Sequence, residues 1–339
     1  MTSVKDVRAD SKPSDGNLGR GAFVFSDDYS VFDWGRMPDQ LPKKGASLCA
    51  MGAYNFERLA EAGVETHYRG VLKGGEVVPL AAVSEPPTEM AIDIARTPEL
   101  PHDSAGYDYD AYHEAGGDAY VVPLEVVFRN VVPPGSSLRD RSDPTDHGLE
   151  YDVWPEEPVE LREPIVEFST KFERQDRYLD RAEADRIAGH PDLDALEGCA
   201  REVNRVISEQ AEAVGFTHQD GKIECLYHDG TIAVGDVAGT FDENRFSRDG
   251  VQLSKEVIRQ YYRETDPEWV QAVKTAKREA LASDSPDWRE DVDMQPKPLP
   301  EHVLRHVANM YAAGANTYLG RELFDAPDLG SVLEHIRRL

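Results

Sequence analysis

The chain has 339 residues, and 64 Asp and Glu against 37 Lys and Arg leave a formal net charge of −27. That length suits two or three domains, or one large domain with insertions, and 11 Phe, 14 Tyr and 4 Trp can anchor a real core. The charge excludes nucleic acid or an anionic membrane held through a general basic surface, and no run approaches the ~18 apolar residues of a membrane span.

The N-terminus has no apolar signal segment, so the cytoplasm is the expected compartment. Cys49, Cys199 and Cys225 are too scattered for a zinc site and too few for a disulfide framework, and read as reduced, partly buried thiols. The acidic residues are dispersed, and only 11 of the basic residues are Lys. Such a surface fits a cytoplasm at molar salt, where self-repulsion is screened; the alternative is an ordinary acidic enzyme. Melting temperature is therefore expected to rise steadily between about 0.1 and 2 M KCl, as the Debye length falls from roughly 10 Å to below 3 Å. A flat melting curve over that range would defeat the halophilic reading.

In chain order, GAFVFS (21–26) reads as a strand followed by a turn at DDYS, and LPKKG (41–45) is a basic turn. Helical spacing over 46–62, ended by Gly63, predicts a helix. THYRGVL and EVVPLAAV predict strands joined at Gly74-Gly75. The polar stretch 92–118 reads as an acidic surface insertion. AYVVPLEVVFRNVV (119–132) is a strand pair or one long buried strand, with Pro123 at a bulge or edge. A loop rich in Asp, Glu and Pro fills 140–163. Asp180 and Asp192 cap a short and a longer helix. GKIECLY and TIAVGDVAG form a hairpin around His228-Asp229-Gly230, and helices close the chain. The order predicts an α+β architecture rather than a doubly wound sheet.

GNLGRGAF (16–23) follows no predicted strand and opens no helix, so it is not a dinucleotide fingerprint. Walker A, HExxH and GxSxG patterns are absent from the sequence. The hairpin carries more. Lys222 and Glu224 alternate with Ile223 and Cys225, and so leave one face of a strand. Asp236 on the partner strand can approach Glu224. Two carboxylates and a lysine on one face would suit a divalent metal and a phosphate chain; the alternative is a solvated face with an incidental ion pair. Glu125 and Arg129 are charges within an apolar strand, each needing a partner or a ligand. Ser136 follows a Gly where backbone N–H groups can turn toward an anion. Arg245 lies close to the same hairpin in sequence.

Taken together, these segments resemble the SAICAR synthetase (phosphoribosylaminoimidazole-succinocarboxamide synthase) family. The carrying segments are FVFSDDYSVFD (23–33), LPKKGASLCAMG (41–52), VPLEVVFRNVVPPGSS (122–137), STKFE (169–173), DGKIECL (220–226) and GDVAGTFDENRF (235–246). The chain departs from the family pattern at Asp28, at Val237, at QDRYLD (175–180), and in its N-terminal SVKDVR.

The resemblance implies an ATP-grasp-like α+β fold: an antiparallel, β-rich nucleotide-binding domain over 1–120, a second α+β domain over 121–250, and C-terminal helices over 251–339. It implies an ATP- and Mg²⁺-dependent ligase of purine biosynthesis. That ligase joins carboxyaminoimidazole ribonucleotide (CAIR) to L-aspartate through an acyl phosphate. The implied partners are these small molecules, with neither nucleic acid nor membrane, and a homo-oligomer is left open. Glu224 and Asp236 would hold the metal. Lys5 and Lys222 would join them at ATP, with Lys222 on the transferring phosphoryl group. Ser30, Asp33, Lys44, Glu125, Arg129, Ser136 and Arg245 would bind CAIR. Two alternatives remain: another ATP-dependent carboxylate–amine ligase, and an inactive nucleotide-binding homologue.

Overall fold

In the computed structural model, which describes residues 4–14, 16–104, 106–283 and 287–339, two large antiparallel sheets are joined by the bridges Thr66–Val234 and Arg96–Tyr120. Ser3 of the N-terminal segment and Ala105 of the acidic stretch lie outside the described residues. Strands β1 (Lys5–Ser11) and β2 (Gly19–Phe25) open the first sheet. Helix α1 (Lys44–Glu61) follows, and β3 (Tyr68–Lys73), β4 (Glu76–Val78) and β5 (Glu89–Ile94) complete the order β1-β2-β5-β3-β4. The DDYS turn has a structural purpose. Asp27 accepts from the backbone N–H of Gly45 at 3.0 Å and of Lys43 at 3.2 Å, satisfying donors that α1 leaves unpaired. EVVPLAAV stops short as a strand because Pro79 has no N–H for the ladder, and Leu80–Ala82 coil into a 3-10 turn.

The reading of 92–118 as a surface insertion needs correction. Ile92–Ile94 end β5, the middle strand of the sheet, and Ile92 and Asp93 are buried there. Beyond a small hairpin, β6 (His102–Asp103) and β7 (Gly106–Tyr107), helix α2 (Tyr109–Gly116) buries Tyr109 and Tyr112. The segment's many acids mask these inward-facing residues, because only one side of each element faces water.

The second sheet starts with β8 (Ala119–Val132), one long strand. Pro123 sits where the β8–β11 register shifts, so no ladder bond is lost there. Within the predicted 140–163 loop a strand begins: β9 (Val159–Thr170), paired to β8, with β10 (Tyr178–Leu179) beyond it. The capped helices are α3 (Arg181–Ala188) and α4 (Leu193–Ala213), with Asp180 and Asp192 accepting from backbone N–H groups as expected. Then come β11 (Thr217–His228), β12 (Thr231–Gly235), β13 (Asn244–Arg248) and β14 (Val251–Leu253). The β11–β12 turn has Asp229 at φ 46° and Gly230 at φ 81°, the left-handed pair a tight hairpin demands. One edge of β11 pairs with β8; the other pairs with β13 over its first half and β12 over its second. Residues 236–243 therefore cross beside the middle of β11.

Helices α5 (Glu256–Thr265), α6 (Pro267–Ser283), α7 (Glu301–Leu319) and α8 (Leu329–Ile336) close the chain. Gly320, at φ 66°, ends α7 earlier than its apolar pattern suggests. The cores of both sheets are continuous through α1, α4 and α7. No helix among the described residues is long and apolar enough to cross a membrane.

One buried group makes the fold acid-sensitive. His218 lies between Ser208 Oγ and Asn244 Nδ2, each 2.8 Å from a ring nitrogen. Burial pushes its pKa down to about 4, against a smaller upward pull from Asp220. The unfolded ring takes a proton near pH 6.5 and the folded ring does not, so stability is lost as pH falls from 6.5 toward 4, by about 3 kcal/mol. Melting followed from pH 7.5 to 4.5 should fall less steeply in His218→Gln than in the parent chain.

Candidate active site

Strand β11 is the spine of the site. Ile223 and Cys225 are buried on the face that carries α4, so Asp220, Lys222 and Glu224 project from the other. Each meets partners from neighbouring strands. Three stations follow along the strand.

At the Glu224 station, Lys171 from the end of β9 pairs with Glu224, and Lys5 Nζ on β1 lies 2.7 Å from Asp236 Oδ1. Lys5 comes from one sheet and Asp236 from the end of β12 in the other. Burial raises the Glu224 carboxyl, the Asp236 charge raises it further, and it reaches about 7 despite Lys171 and Lys222. Burial would also raise Asp236, but Lys5, Lys171 and Lys222 outweigh it and bring the carboxyl down to about 2. A cavity of about 590 Å³ opens above this cluster between the sheets. Val7, Phe23, Ile92, Ile94, Phe172 and Leu226 give it apolar walls, while charge gathers at its floor.

At the middle station, Lys222 pairs with Glu125 from β8, and Glu243 lies 3.6 Å from its Nζ. Burial opposes the charge on Lys222, yet Glu243, Glu125 and Glu224 hold its pKa well above the usual value. Nearby, burial pushes the Lys255 ammonium down, against partial compensation from Glu243 and Asp242.

At the Asp220 station, Arg245 from β13 grips both oxygens of Asp220. Arg129, 4% exposed, donates from Nε to Glu167 at 2.7 Å and from Nη2 to Tyr178 Oη at 2.9 Å. Its Nη1 lies 3.4 Å from Ser136 Oγ and 3.5 Å from Asp220. Arg141 takes the other Glu167 oxygen at 2.8 Å and lies over the Tyr178 ring. Three guanidiniums thus face two carboxylates, a positive excess in a strongly acidic chain.

Lys5, Glu125, Arg129, Ser136, Lys222, Glu224, Asp236 and Arg245 are therefore brought to one surface. Three expected site residues are not. Lys44 is fully buried, bound at 2.7 Å to Asp242 with Tyr311 on the other oxygen, and fastens α1 to the 236–243 crossing. Asp33 is exposed on the loop after β2 and pairs with Lys277 of α6. Ser30 is half-buried in that loop. Neither lines the cavity between the sheets.

The sequence reading missed Lys171, Asp220, Glu167, Tyr178 and Arg141. A signal existed for two of them. Lys171 stands in STKFE, one of the segments that carry the resemblance, and Asp220 precedes Lys222 by two, hence on the same face. Glu167 lies on β9 and Tyr178 on β10, neither of which the sequence reading contained, and Arg141 lies at the start of the predicted loop.

Fold and site together define a two-sheet α+β enzyme with a cleft floored by paired lysines, arginines and carboxylates. The sequence profile described as SAICAR synthetase matches residues 15–276. A putative phosphoribosylaminoimidazole-succinocarboxamide synthase of Archaeoglobus fulgidus is 40% identical over 100% of this chain and 99% of its own. The Thermoplasma acidophilum synthase is 29% identical over 85% of this chain and 89% of its own. The Saccharomyces cerevisiae SAICAR synthase, solved with SAICAR, shares the fold with a TM-score of 0.61, at 19% identity over 95% of this chain and 94% of that one. A SAICAR synthetase solved with ADP gives 0.53, at 21% identity, over 88% and 99%. The chain belongs to the SAICAR synthetase family.

Proposed function

We propose that this enzyme condenses CAIR with L-aspartate, using ATP, to give SAICAR, ADP and phosphate in purine biosynthesis. One observation carries the assignment of roles: the three stations lie in a row on one face of β11, with an apolar-walled cavity at one end and the arginine cluster at the other. ATP enters the cavity with its phosphates toward Lys5, Lys171 and Lys222. CAIR lies toward Arg129, Ser136 and Arg245, which take its phosphate, while Glu125 orients its sugar or ring. Its carboxylate then faces Lys222 and the γ-phosphate.

Glu224 and Asp236 fit a divalent cation. They are two mostly buried carboxylates close enough for one charge to raise the other's pKa, and among the described residues no group of three or more acidic, histidine or cysteine side chains competes. Magnesium commonly takes one or two carboxylates and completes its shell with phosphates and water. In this structure lysines hold both carboxylates, and arriving phosphates would give those lysines new partners. When bound, Mg²⁺ supplies neutralisation of the β- and γ-phosphates.

The CAIR carboxylate oxygen attacks the γ-phosphorus, the bond to the ADP oxygen breaks, and an acyl phosphate forms. The aspartate amine attacks the acyl carbon, phosphate leaves, and the nitrogen loses a proton. No protein nucleophile is required. The obstacle is gathering anions, so positioned lysines and arginines do most of the work.

The test is SAICAR formation from ATP, Mg²⁺, CAIR and aspartate in high KCl. ATP turnover only with a different carboxylate–amine pair would indicate another ligase. ATP binding without turnover would indicate an inactive homologue, against which the presence of Lys222, Glu224, Asp236 and Arg245 argues.

A further inference from the structure

His67, 4% exposed, lies at the cavity floor and is held from three sides. Its N–H donates to the Val234 carbonyl of β12 at 3.0 Å, and its carbonyl accepts from Asp93 of β5 at 2.8 Å. Its Nε2 is 3.0 Å from the backbone carbonyl oxygen of Asp236. One residue thus ties the two sheets together and reaches the backbone of a carboxylate-bearing residue. A carbonyl oxygen only accepts, so Nε2 carries the proton. Burial pushes the ring's pKa down, against its contacts with Asp236 and Asp93, and Phe23 and Phe56 wedge it edge-on with ring centroids 5.5 Å away.

Asp236 needs such a hold. Its φ of 52° is left-handed, a conformation disfavoured for any residue with a Cβ. The β11–β12 ladder ends one residue earlier, at Gly235 opposite Glu224, so no ladder bond fixes Asp236. Lys5 holds the Asp236 carboxylate, but Lys5 would exchange that contact for a phosphate when nucleotide binds. The hydrogen bond from His67 acts on the backbone and survives that exchange.

We propose that His67 is a positioning residue: by donating to the Asp236 carbonyl it holds the left-handed turn that aims the Asp236 carboxylate at a divalent cation carried by the nucleotide. This rests on Glu224 and Asp236 being the metal pair. Calorimetric binding of ADP, with Mg²⁺ and with EDTA, reads the effect without turnover. His67→Phe and His67→Met remove the donor, Met being adaptable enough to fill the site if Phe disturbs folding. His67→Gln retains an N–H. Loss of a hydrogen bond to a buried carbonyl is expected to weaken Mg–ADP about tenfold in Phe and Met, leave metal-free ADP within about twofold, and be largely rescued in Gln.

Parent-like Mg–ADP binding in both donorless variants, or equal weakening with and without Mg²⁺, overturns the proposal. Asp236→Asn separates the two layers. If Asp236→Asn weakens Mg–ADP while His67→Met does not, the positioning role fails alone. If Asp236→Asn binds Mg–ADP as the parent does, the metal pair and the proposal fall together.

Discussion

Asp236→Asn is expected to lower turnover by roughly 10²–10³-fold, the scale seen when one preorganised electrostatic contact is removed from an active site. The fold should survive. Asn keeps an oxygen that can accept from Lys5 in place of the 2.7 Å ion pair, and the residue sits just past a strand end rather than inside a ladder. What disappears is a negative charge that three lysines hold well below the usual carboxylate range, and which in turn raises Glu224. Turnover across a magnesium titration, beside a thermal melt, checks this. Normal activity at every magnesium concentration would remove Asp236 from the metal site.

Arg129→Ala should do more damage than a lost substrate contact. The side chain is 4% exposed and joins Glu167, Tyr178, Ser136 and Asp220. Its removal leaves Glu167 to Arg141 alone and Asp220 to Arg245 alone, and takes the donor from Tyr178 and Ser136; leaving a buried charge with no partner at all costs about 3–5 kcal/mol, which is the upper bound here. A markedly lower melting temperature is expected. Arg129→Lys keeps the charge but not the planar fork that reaches several acceptors at once. It should fold, and the CAIR requirement should rise about tenfold or more, while the ATP requirement changes little, because charge-assisted hydrogen bonds are worth about 1.5–3 kcal/mol. Equal effects on both substrates would make Arg129 a structural residue.

The fold was legible wherever a local rule applied. Asp180 and Asp192 cap helices because their side chains answer nearby N–H groups, and Asp229-Gly230 turns because both positions need positive φ. Pro123 announced a bulge for the same local reason. Strand β9 was lost because alternating charge and apolarity over VELREPIVEF resembles an acidic loop until β8 pairs with it. Strand β5 was lost because Asp93, buried against Arg69, looks like surface in a one-dimensional reading.

The site divides along the same line. By itself the sequence determined the family, the α+β class and the face of β11 that carries Lys222 and Glu224, since side-chain direction in a strand has period two. It also showed that any clustered cation in so acidic a chain is conspicuous. Only the tertiary structure decided who meets whom. Lys5 reaches Asp236 across 231 positions of chain because two sheets close on one cavity, and Lys171 reaches Glu224 because β9 and β11 flank β8. It withdrew Lys44 from the cleft, since a buried ammonium needs its charge answered and Asp242 lies within 2.7 Å. Long-range charge pairing depends on distances in space, and those are set by sheet order and helix packing rather than by spacing along the chain.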